Sequence, residues 1–72
     1  MGEIIKEERT VKGITQSELA KAVGVTQDSI SLWELGKRLP DTIYLRRICK
    51  ILDISADYLL GLENEDGAKI AE

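Results

Sequence analysis

The chain has 72 residues, 43% of them hydrophobic, 4% aromatic and 32% charged, with a formal net charge of −3. A chain this short makes one small domain that buries only about 60% of its unfolded surface, which argues against a two-domain enzyme. With no His and a single Cys, an internal disulfide, a Ser-His or Cys-His nucleophile and a Cys/His zinc cluster are all excluded.

The glycines fit neither a P-loop nor a dinucleotide fingerprint. The carboxylates fall on solvated helix faces with little room for an enclosed cleft. No catalysis, cofactor, metal or small-molecule ligand is therefore expected. No apolar run approaches the roughly 20 residues that span a bilayer, and the start lacks the apolar stretch of a signal peptide. A lone thiol suits a reducing interior, so the expected location is the cytoplasm, with no membrane partner.

In chain order, a first helix is expected over 3–12, followed by Gly13. Thr15-Gln16-Ser17-Glu18 is a capping box that opens a helix over 16–23, closed by Gly24. Thr26 caps a third helix over 27–35 that runs into Gly36. Asp41, after Pro40, caps a fourth over 42–52, and Ser55 a fifth over 56–60 that stops at Gly61. No segment alternates with period two, so the fold class is all-α. From Glu63 the composition turns to Glu-Asn-Glu-Asp-Gly, giving a domain over 1–62 and an acidic, solvated tail over 63–72.

Helical spacing assigns the core. Leu19, Ala20 and Val23 share a face, as do Ile30 and Trp33, and Leu45, Ile48, Cys49 and Leu52 form a stripe. Ile14, Val25 and Ile54 plug the junctions. Trp33 reads as a core wedge rather than a stacking platform, and Cys49 as a small buried hydrophobe rather than a redox sensor.

Charge is unevenly divided. Residues 1–8 carry one cation and three anions, net −2; residues 39–72 carry four cations and seven anions, net −3. Residues 9–38 carry Arg9, Lys12, Lys21, Lys37 and Arg38 against Glu18, Asp28 and Glu34, net +2. The local field, not the sum, is what a polyanion meets.

The densest pattern runs from Gln16 to Leu35, QSELAKAVGVTQDSISLWEL. Two helices that cross steeply through a short turn need a small residue at the crossing, Ala20, and a residue tolerant of positive φ in the turn, Gly24. Ile30 and Trp33 then hold the third helix inward. Gln27, Asp28, Ser31, Leu32 and Leu35 are left on its outer side.

This segment resembles the helix-turn-helix of the phage-repressor and Cro-like transcription factors, the XRE-like family. "GITQSELAKAVGVTQDSISLWELGKRLPD" and "ILDISADYLLGL" extend the similarity over about residues 3–62. The resemblance implies a five-helix, lambda-repressor-like domain that binds operator DNA as a two-fold dimer, acting as a transcriptional regulator and most often as a repressor of an inverted-repeat operator. It implies base contacts from Gln27, whose amide can meet adenine N6 and N7, and from Asp28 and Leu32. Asp28 accepts from cytosine N4 or simply favours the helix dipole; Leu32 touches a thymine methyl or packs against a neighbour. Phosphate contacts are implied for Gln16, Thr26, Lys37, Arg38 and Arg9, and Ser29 reaches a phosphate or a base edge. Arg9 and Glu34 match a salt bridge between the first and third helices. Arg46, Arg47 and Lys50 form a solvated basic face or send one side chain to the DNA backbone.

Ile43, Tyr44, Ile51, Tyr58, Leu59, Leu60 and Leu62 exceed what a core of this size can hold, and such a surplus marks an interface. In relatives the fifth helix and the segment after it form the dimer contact, which implies Tyr58, Leu59 and Leu62 here. A rival reading stands beside this one. Asp28, Leu32, Leu35 and the −3 charge also suit a protein-interaction module on the same scaffold, such as an antirepressor, an antitoxin-like partner or an adaptor.

Overall fold

The computed structural model describes residues 1–60. Helices α1 (Gly2–Val11), α2 (Gln16–Val23), α3 (Gln27–Glu34), α4 (Thr42–Leu52) and α5 (Ala56–Leu59) follow in order. No strand occurs among the described residues. Each start from α2 onward is fixed by a side chain that accepts a backbone N–H. Thr15 accepts from Glu18, Thr26 from Ser29, Asp41 from Tyr44 and Ser55 from Tyr58.

The turn after α2 depends on Gly24, at φ 92°, where a side chain is strained. Its N–H and that of Val25 both donate to the Ala20 carbonyl, at 2.8 and 2.9 Å. α4 ends differently from the glycine stops elsewhere: Asp53 takes the left-handed conformation at φ 55°, which a short polar side chain tolerates.

The core gathers Ile5, Leu19, Ala20, Val23, Ile30, Trp33, Ile48, Cys49, Leu52 and Leu59. Ile14, Val25 and Ile54 pack on its margin from the junctions, and Leu45, expected inside the α4 stripe, is half-buried there too. Burial pushes the Cys49 thiol above its ordinary value, as suits an unreactive core side chain. α1 approaches α3 closely, because Gly2 lies against the backbone carbonyls of Trp33 and Glu34, where a Cβ would collide.

One residue expected at the dimer interface lies inside the bundle instead. Leu59 is 0% exposed within the single chain, so it belongs to the core and offers no side chain to a second copy. The short α5 turns it inward onto the bundle, while Leu60 beside it is 46% exposed. Leu62, Gly61 and the acidic tail over 63–72 lie outside the described residues.

The capping box is complete: Glu18 N–H donates to Thr15 Oγ1 and Thr15 N–H to Glu18 Oε1, both at 3.0 Å. The Thr15 backbone N–H, then its hydroxyl, lower the Glu18 pKa from its ordinary 4.5. A lowered carboxylate value stabilises the fold above the unfolded pKa, and that stabilisation is lost as pH falls through the folded value. Thermal melts of the protein and of Glu18→Gln should therefore differ most at neutral pH and converge in acid below 4.5. A gap that widens in acid would contradict the assignment.

Candidate nucleic-acid interface

The outer end of α3 is a polar, exposed tip. Thr26 caps it, its Oγ1 lying 3.1 Å from Ser29 Oγ, and Gln27 and Asp28 are exposed. Backbone N–H groups of a helix's first turn, with the helix dipole behind them, attract negative charge. Thr26, Ser29 and Arg38 line one open recess of about 450 Å³, together with Trp33, Asp41 and Tyr44. The fold thus brings together three of the expected phosphate residues, though the Asp41 carboxylate shares the same recess.

Behind the tip runs a hydrogen-bonded chain across three helices. Arg9 Nε donates to Glu34 Oε2 at 2.7 Å and Arg9 Nη2 to Oε1 at 3.2 Å. Gln16 Nε2 donates to the same Oε1 at 3.0 Å, and Gln27 Nε2 donates to Gln16 Oε1 at 3.4 Å. Ser17 Oγ completes it by donating to Gln27 Oε1 at 2.9 Å. The Gln27 amide retains one N–H and one lone pair. Those suffice for a bidentate contact with a base edge.

The Arg9–Glu34 pair sits inside the protein, with side chains 12% and 3% exposed. The Glu34 hydrogen bonds raise the Arg9 pKa, against the lowering effect of burial. Arg9 Nη1 also donates to the Ile14 carbonyl at 2.8 Å. Of the five guanidinium donors only two remain for anything outside, so the principal work of Arg9 is to join α1 to α3.

Lys37 and Arg38 are exposed directly after α3, and Leu32 is half-buried. Two polar residues of this surface escaped the sequence reading. Ser17 and Lys21 line a shallow groove with Gln27; they lie one turn apart on α2.

The helix-turn-helix family pattern matches residues 5–59. The chain belongs to the XRE-like helix-turn-helix family. It is 41% identical over 64 residues to the uncharacterized HTH-type transcriptional regulator YqaE of Bacillus subtilis, covering 89% of this chain and 55% of YqaE. The chain thus spans about half the length of that relative. An HTH-type regulator of Methanothermobacter thermautotrophicus is 39% identical, with 96% of this chain and 100% of the relative covered. Among solved structures, the P22 c2 repressor protein in complex with synthetic operator 9T superposes with a TM-score of 0.79 at 40% identity. The match covers 81% of this chain and 88% of that one. The five-helix, lambda-repressor-like fold is therefore that of XRE-like transcriptional regulators. No helix among the described residues is long and apolar enough to cross a membrane.

Proposed function

We propose that this XRE-like domain binds double-stranded DNA sequence-specifically as a transcriptional regulator, most naturally a repressor, with α3 in the major groove. The observation that carries the reading is the Gln27 amide, exposed at the tip of α3 and held from behind by Gln16 and Ser17. Gln27, Asp28 and Leu32 face base edges; Gln16, Thr26, Ser29, Lys37 and Arg38 meet phosphates and fix register. Arg9 supports Gln16 through Glu34 and offers its remaining donors to the backbone. Two copies related by a two-fold axis would set their α3 helices roughly 34 Å apart and read an inverted repeat. Tyr58 and Leu62 are candidates for that pairing, joined by Leu60, which is 46% exposed.

Titration of a labelled duplex across salt concentrations tests this reading. Affinity falls with a log–log slope of about −0.9 per neutralised phosphate. Lys37→Ala weakens all duplexes alike and flattens the slope by about 0.9. A loss confined to one sequence would contradict its role as a phosphate contact.

One observation favours the rival reading. Leu35, Leu39 and Ile43 are 66%, 74% and 61% exposed, an apolar supply near the α3–α4 loop that suits a protein partner. A protein-interaction module would show no salt-dependent duplex binding at all.

A further inference from the structure

The carboxyl end of a helix leaves backbone carbonyls that the helix cannot bond itself. At the end of α2, the Val23 carbonyl receives Arg47 Nη1 at 2.9 Å, from a residue 24 positions later on α4. A cation there also meets the negative end of the helix dipole. The guanidinium lies against the turn itself, since a Cβ on Gly24 would stand 3.3 Å from Arg47 Nη1. It also rests over the Tyr44 ring, 5.8 Å from the centroid. That ring in turn meets Trp33 of α3 at 5.9 Å, tilted by 34°. One side chain thus connects the end of α2, the turn and, through Tyr44, the buried anchor of α3.

We propose that Arg47 is a positioning residue that latches the helix-turn-helix to α4 and sets the angle at which α3 is presented, rather than a DNA contact. This rests on the DNA-reading function proposed above. Without the latch the α2 terminus and turn relax and α3 tilts, which moves Gln27 away from base edges. Lys37 and Arg38, on the loop after α3, still find phosphates. Discrimination between sequences falls while general affinity is kept. Lysine cannot replace the arginine, because an ammonium lacks the flat fork that covers the ring while donating sideways to the carbonyl.

The test compares the protein with Arg47→Ala and Arg47→Lys, each checked for helicity by circular dichroism. Without DNA, amide chemical shifts should change from Val23 through Ser29 as well as on α4; changes confined to α4 would overturn the latch. With DNA, anisotropy titrations use a duplex selected by the unmodified protein and a random duplex. Arg47→Ala should lose about tenfold on the selected duplex and under about twofold on the random one, with the salt slope unchanged. Equal losses with a slope flattened by about 0.9 would make Arg47 a phosphate contact and overturn the proposal. Full recovery by Arg47→Lys would overturn it as well. Should Arg47→Ala not fold, Arg47→Lys carries the same comparisons. If the unmodified protein selects no duplex, the proposed function fails, and the chemical shifts still decide the latch.

Discussion

Glu34→Ala should destabilise the domain by about 3–5 kcal/mol, the usual effect of removing one partner from a buried ion pair. The carboxylate is 3% exposed and accepts from Arg9 Nε, Arg9 Nη2 and Gln16 Nε2. Its loss leaves the Arg9 guanidinium, 12% exposed, with only the Ile14 carbonyl among its present partners. A 72-residue domain has a total stability of about 4–11 kcal/mol, so this variant should lose a large fraction of it and unfold at a much lower urea concentration. Urea denaturation followed by Trp33 fluorescence measures it. Replacing both partners with apolar residues, Arg9→Met with Glu34→Leu, should recover much of the stability, because no charge is then left buried. That double variant should still bind DNA less well, since Gln16 has lost its anchor. A loss below about 1 kcal/mol for Glu34→Ala would assign the pair the weight of an exposed salt bridge.

Gln27→Ala should relax preference at one base pair of each half-site, at a loss of about 1–3 kcal/mol for the preferred base. The size depends on preorganisation. Ser17 and Gln16 hold both ends of the amide, so little side-chain freedom is lost when it docks. Ser17→Ala should therefore produce a weaker version of the same defect at the same base pair. Competition titrations with duplexes substituted at each position separate this from the uniform weakening expected of Lys37→Ala. A uniform loss for Gln27→Ala would make the residue a backbone contact.

What could be read from the sequence was what is local in it. Thr15, Thr26, Asp41 and Ser55 cap the helices they were expected to cap, because an N-cap acts on amides two or three residues away. Leu19, Val23, Ile30, Ile48 and Leu52 are buried as their helical spacing required. Leu59 was misplaced because a four-residue helix has too little periodicity to say which side faces inward. Ile5 went unassigned for a related reason: its α1 neighbours Ile4 and Met1 compete for the same face. The end of α4 at Leu52 was expected although no glycine follows it, and Asp53 supplies the left-handed stop instead.

The candidate site divides in the same way. Gln27, Thr26, Lys37 and Arg38 could be named as candidates because the resemblance to the XRE-like family implies them. Their supports could not, since Ser17 meets Gln27 across 10 residues and Arg47 meets Val23 across 24. Such contacts depend on how helices cross, and nothing in the periodicity of α4 separates Arg47 from the neighbouring Arg46.

The most direct measurement is selection from a random duplex pool with the purified chain, followed by sequencing of the bound fraction. Exposure of α3 at a polar tip predicts enrichment of a two-fold symmetric site, its half-sites about one helical turn apart, with one position relaxed in a parallel selection with Gln27→Ala. An unenriched pool, or a consensus that Gln27→Ala leaves unchanged, would contradict the claim that this helix reads DNA.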